Sequence, residues 1–201
     1  MTTRVATTAL TAAATATLAA AVTAGSLSGG VSPAAAQSAT PRTHVTLSVK
    51  GCEGCHLRLT QALDGREKVW QSKARTVEDG TVSWRIPTGR THGISITVDA
   101  PWDGGPGYVP TVAFRYGGEK VGDEVTPALA KTKRRASTCW AGTDADAVTI
   151  PITVVHARST NPPGDPIRTP RAFTSVTQEW MKPMERAWKG ITGTQDVGWC
   201  G

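Results

Sequence analysis

Beyond residue 36 the chain has no run approaching the ~18 apolar residues that a membrane-spanning helix needs, so that part carries no such span. Helical periodicity is nearly missing before residue 174, which points away from helical bundles and towards an all-β core. His-Glu-x-x-His, Gly-x-Ser-x-Gly and glycine-rich phosphate loops are also missing, so three common catalytic or nucleotide-binding signatures are absent. Acidic residues are in deficit, 16 Asp+Glu against 22 Lys+Arg. Tyrosine and phenylalanine are scarce, two of each, while tryptophan reaches seven.

Residues 1–36 read as an export leader. Arg4 gives a short positive start, Val5 to Ala24 is uncharged, and Ala34-Ala35-Ala36 offers a small-x-small cleavage site before Gln37. Its core is rich in Ala and Thr rather than Leu, too weakly apolar for a permanent anchor. Cleavage there leaves 201 less 36, or 165, residues outside the cytoplasm, enough for one domain and an appendage. Removing Arg4 leaves 21 basic against 16 acidic residues, a net +5. That excess favours acidic partners such as anionic cell-envelope polymers, and it steers only weakly at moderate salt.

All four cysteines, Cys52, Cys55, Cys139 and Cys200, lie in the exported part, which in an oxidising compartment implies two disulfides. Cys52 and Cys55 end a four-residue turn in which Gly54 permits a positive φ, and turn ends lie within bridging distance. Pairing Cys52 with Cys55 leaves Cys139 for Cys200, fastening the C-terminus to the body. Connectivities in which each turn cysteine reaches a distant partner remain open.

From Thr43 the period is two. Val45, Leu47 and Val49 alternate with polar residues, as do Leu57 and Leu59, then Val82, Trp84 and Ile86, then Ile94, Ile96 and Val98. Val69 to Val77 reads as a more exposed strand closed by Glu78-Asp79-Gly80. Val112, Phe114 and Tyr116 lead into Gly117-Gly118, a hairpin signal with Val121 to Val125 as its return. Val148, Ile150, Ile152 and Val154 form the last clear strand, and Pro151 assigns that strand to a sheet edge. About seven short strands predict an Ig-like or prealbumin-like β-sandwich over residues 37–158. A proline-rich linker follows at 159–166. The extension 167–201 has Val176, Trp180, Met184 and Trp188 at intervals of four, which predicts a short, partly helical segment packed on the sandwich.

Asp79-Gly80, the strand ending in Pro87-Thr88-Gly89, and the alternating strand ending in Ala100-Pro101 resemble the prealbumin-like repeat of carboxypeptidase-regulatory and collagen-adhesin B-type domains, over residues 43–125. The whole exported part resembles a family of exported actinobacterial proteins. The segments that carry this likeness are Gly51-Cys52-Glu53-Gly54-Cys55, Ala113-Phe114-Arg115-Tyr116, Cys139-Trp140-Ala141-Gly142 and Gly193-Thr194-Gln195-Asp196-Val197. These resemblances imply compartment and fold, and no activity.

Cys52-Glu53-Gly54-Cys55-His56 has the spacing of a c-type haem attachment site, with His56 as axial ligand. The motif bridges two alternating strands, whereas haem attachment favours helical backbone. Zinc would need a fourth ligand from Cys139 or Cys200, and oxidation competes with thiolate ligation. A redox role of the thioredoxin kind would need a helix after Cys55, and none is predicted. His44, His56, His92 and His156 are scattered. Thr91-His92-Gly93 resembles the active segment of L,D-transpeptidases, but the nucleophilic cysteine position holds Ile94. Asp144 and Asp146 form a short acidic pair suited to helping a calcium ion, and solvated carboxylates explain them as well.

Among the tryptophans, Trp84, Trp140, Trp180, Trp188 and Trp199 are expected to pack. Trp70 and Trp102 are the candidate exposed platforms for a sugar ring. Lys131, Lys133, Arg134 and Arg135 crowd four positive charges, a candidate contact for anionic polymer. No aromatics interleave them, which disfavours nucleic acid. The sequence thus points to a secreted, disulfide-stabilised, non-enzymatic β-sandwich that binds an envelope polymer or glycan and needs no cofactor. Its rivals are a secreted hydrolase whose residues converge only in three dimensions, and a haem or metal protein centred on Cys52, Cys55 and His56.

Overall fold

A computed structural model describes residues 39–62, 69–104, 110–131, 135–159, 167–181, 188–189 and 200. The expected leader, most of the proline-rich linker, Lys133, Arg134, Pro183, Met184, Trp199 and the Gly193–Val197 segment lie outside the described residues.

The protein is an all-β sandwich. Its first sheet has the order β10-β9-β1-β5, where β1 is Arg42–Lys50, β5 Thr81–Pro87, β9 Ala147–Ser159 and β10 Ile167–Thr174. The second sheet is built on β2, His56–Ala62. One edge of β2 pairs with β6, Ile94–Asp99; the other pairs with β3, Val69–Gln71, and β4, Arg75–Thr76. A third, small sheet joins β7 (Arg115–Tyr116), β8 (Arg135–Ser137) and β11 (Trp188–Lys189), with the short helix α1, Pro127–Lys131, before β8.

Register explains the main core. Val45 faces Trp84 on β5 and Val148 on β9, and Leu47 faces Val82 and Ile150, so one alternation runs across three strands. Leu57 faces Val98 and Leu59 faces Ile96 on the second sheet. These two apolar faces meet, burying Val45, Leu47, Leu57, Leu59, Ile96 and Ile150 completely. On the other face of the first sheet, Val155 and Phe173 join Ala113, Tyr116, Val125 and Ala136 in a second cluster under β7, β8 and α1.

Three expectations are corrected. The strand holding Pro151 is interior: β9 pairs parallel with β1 and antiparallel with β10. Pro151 is tolerated because its carbonyl, which accepts from the Ser175 N–H at 3.0 Å, points to the β10 side just past the last ladder pair, Ile152 with Thr174. The reciprocal donor that proline lacks is replaced, because the Ser175 carbonyl accepts instead from the Val125 N–H at 2.8 Å. Gly117-Gly118 turns the chain, with the Glu119 N–H on the Tyr116 carbonyl at 3.3 Å, but Val121 to Val125 is no return strand. Instead β7 pairs with β8, while the Gly122 and Val125 N–H groups bond Thr177 and Ser175 carbonyls. The four-residue stripe is not helical where described. Val176 and Trp180 sit in isolated bridges to Glu124 and Trp140, and Trp188 lies in β11. Tertiary pairing overrides the spacing there. The edge strand β10, which the sequence reading did not identify, carries Pro170 where an edge tolerates it.

Candidate functional site

Cys52 and Cys55 are joined by a disulfide with Cα atoms 5.5 Å apart, and both are buried. Gly54 takes φ +75°, and its N–H donates to the Val77 carbonyl at 3.0 Å. The Glu53 carboxylate clips this turn to the next hairpin: Oε1 accepts from the Asp79 N–H and Oε2 from the Gly80 N–H, each at 3.0 Å. His56 opens β2, exposed, with Nδ1 3.2 Å from the Thr76 hydroxyl. With both sulfurs in one bridge, neither is available for a haem thioether or a metal thiolate. The second disulfide joins Cys139 to Cys200, Cα atoms 5.6 Å apart.

His92 and Asp144 are 52 residues apart in sequence, and the fold brings Nε2 to 3.3 Å from Oδ1. The other ring nitrogen, Nδ1, lies 2.8 Å from the Ala141 carbonyl, which can only accept, so Nδ1 carries the proton. Gly142, at φ +96°, lets the backbone press against this ring: a Cβ there would sit 2.7 Å from His92 Nδ1. Both nitrogens are therefore committed, one to a carboxylate and one to backbone. Nε2, the nitrogen that would have to draw a proton from a hydroxyl in nucleophile activation, faces this carboxylate instead. The Thr91 hydroxyl is itself bonded to the carbonyls of Thr88 and Thr143. Asp144 and Asp146 are both exposed, and among the described residues no three His, Cys, Asp or Glu side chains converge on a metal position.

The candidate platforms are half-buried, each with a partner. Trp70 packs against the main core, and the Arg90 guanidinium lies over its ring at 5.6 Å. Arg90 also donates to Gln61 Oε1 on β2 at 2.9 Å, tying that strand to the segment after β5. Trp102 stacks on the exposed His156 imidazole, centroids 3.7 Å apart and planes at 18°. Its loop is pinned to β10 by the Gly104 N–H on the Arg168 carbonyl at 3.0 Å. Lys131 is exposed at the end of α1, and Arg135 begins β8.

The sequence reading missed what surrounds Trp102. Arg158 of β9 stands directly opposite Arg168 of β10, both exposed, and His156 precedes Arg158 by two on the same face. Like charges set opposite on a ladder repel. Among the described residues, neither guanidinium has an ion pair. Asp103 is the only acid in the Trp102 loop. A signal was present: the face carrying Ile150, Ile152 and Val154 turns to His156 and Arg158, marking where it leaves the core. Arg168 could not be added without knowing that residues 167–174 return beside β9.

Comparison with protein-family models, with curated proteins and with solved structures gives no match.

Proposed function

We propose that this chain is a secreted, non-enzymatic binding module that holds an anionic polymer of the cell envelope on the surface formed by Trp102, His156, Arg158 and Arg168. The observation that carries the reading is the Arg158–Arg168 cross-strand pair, exposed and without an acidic partner among the described residues, beside a stacked indole and imidazole. Two guanidiniums fixed on neighbouring strands match the repeating charge of a phosphate- or carboxylate-bearing polymer. An indole beside them adds an apolar face for a sugar ring. Lys131 and its basic neighbours supply a further contact in this reading. The prealbumin-like resemblance agrees with a carrier sandwich whose function lies in its surface. Two disulfides suit a chain that works outside the cytoplasm.

The test is retention of the purified protein on isolated cell wall. Binding at low salt should fall steeply as ionic strength rises, since screening shortens the reach of exposed charges from about 30 Å at 0.01 M to about 3 Å at 1 M. The Arg158→Gln/Arg168→Gln double variant should lose most of the retention, and Trp102→Ala a smaller part. Retention unchanged by the double variant, or none at low salt, overturns the reading.

A further inference from the structure

Tyr116 and Arg171 are polar groups buried beneath the first sheet in the second cluster, and their chemistry is complementary to something neither of them supplies. Tyr116 ends β7 with no exposed surface, and among the described residues its hydroxyl has no hydrogen-bond partner. Arg171 lies in the middle of β10, 9% exposed, and its Nε–H is likewise unpartnered. Arg171 shares its face of β10 with Phe173, which packs in the same cluster as Tyr116. Around them stand Ala113, Val125, Ala136 and Phe173, with Val155 directly opposite Arg171 on β9. Among the described residues, no carboxylate pairs with the guanidinium.

A guanidinium only donates, and it stays charged at neutral pH. Burial raises the Tyr116 phenol well above the ordinary tyrosine range, so it too enters as an O–H. Two donors, one of them cationic, fit a single acceptor that bears negative charge. Nε with its neighbouring Nη presents two parallel N–H bonds, the fork that matches the two oxygens of a carboxylate. The apolar surroundings favour a singly charged group over a phosphate dianion, whose desolvation costs more, and they suit an apolar body behind the charge. We propose that Arg171 and Tyr116 form a recognition site for a small carboxylic acid with an apolar body, the guanidinium gripping the carboxylate and the phenol donating a third hydrogen bond. Strand alternation puts this site on the opposite face of the first sheet from Arg168 and Arg158, so it stands independently of the polymer-binding surface.

The experiment uses the purified, oxidised protein labelled with 15N, titrated with sodium butyrate and with sodium benzoate against sodium chloride at equal ionic strength and pH 7. The expected result is a saturable shift of the Arg171 Nε–H resonance with the carboxylates and not with chloride. A rise in the thermal unfolding midpoint should follow the same concentration dependence. In Arg171→Gln the rise should vanish. Tyr116→Phe, nearly isosteric, should fold and weaken binding several-fold, which keeps the test decisive if Arg171→Gln does not fold. An Arg171 Nε–H resonance that neither carboxylate moves, meaning that the chain's own groups already satisfy it, overturns the proposal. So does an equal rise in midpoint in wild type and Tyr116→Phe.

Discussion

Gly51 and Gly54 both have positive φ, +84° and +75°, in and just before the disulfide turn, yet they should tolerate substitution very differently. A Cβ on Gly54 meets nothing within 4 Å, so Gly54→Ala bears only the backbone strain of a left-handed residue, ~1–2 kcal/mol. A Cβ on Gly51 would run into the Val154 carbonyl of β9, a backbone atom held by the sheet. Gly51→Ala should therefore cost several times more, and urea unfolding of the two variants measures the difference. Tyr116 makes a second prediction at this scale. Burial raises its pKa in the folded state, against about 10 in an unfolded chain. The unfolded chain then releases a proton that the folded one retains, so stability is lost as pH rises above about 10. Burial lowers Arg171, which acts in the opposite sense. Tyr116→Phe should flatten the alkaline fall in unfolding midpoint between pH 9 and pH 11.5; an unchanged fall would show that other groups cause it.

Between elements, the Glu53 carboxylate has a bracing role that its exposed position conceals. It satisfies two backbone N–H groups at the tip of the β4–β5 connection, where Asp79 at φ +51° and Gly80 at φ +68° make the tight turn between Glu78 and Thr81. A β-turn of this hand needs both central residues at positive φ, which suits Asp-Gly. Glu53→Gln offers one acceptor where two are used, so one N–H loses its charge-assisted partner. The expected cost is ~1 kcal/mol, reduced by water at this exposed site. Faster hydrogen exchange at the Asp79 and Gly80 amides, with the Gly54 amide little changed, would localise the effect. Pro151 teaches a related lesson about elements. Proline commonly marks an edge, and β9 is central, because what matters is whether a ladder donor is required at that one position.

For the molecule as a whole, the Cys139–Cys200 bridge is the long-range constraint. It spans 61 residues of separation and ties the chain's end to the segment after β8, where the Trp140 N–H bonds the Ile94 carbonyl at 3.0 Å. On the chain-entropy account, a loop of that size is worth ~4 kcal/mol and the three-residue separation of Cys52 and Cys55 ~2 kcal/mol. Cys139→Ser/Cys200→Ser should therefore lower stability about twice as far as Cys52→Ser/Cys55→Ser, read from denaturant midpoints of the oxidised proteins. Comparable losses would mean that strain or residual unfolded structure, not loop closure, sets the values.

Much of the sandwich was legible because strand periodicity is a local property. Val45, Leu47, Val49, Leu57, Leu59, Ile94, Ile96 and Val98 alternate in sequence, and the same residues are buried in the core. Turn chemistry is equally local: Asp79-Gly80 and Gly54 declare their positive φ through residue type. Pairing is not local. That β1 lies between β5 and β9, antiparallel to one and parallel to the other, follows from how apolar faces close over one another. The same closure draws Ile167–Thr174 back as a strand, sets Arg158 against Arg168, and buries both Arg171 and Tyr116. Alternation alone marked the apolar residues of β1, β2, β5 and β6 that fill the main core. Only the tertiary structure decided which charges would meet, because hydrophobic burial selects a face but carries no information about its neighbour.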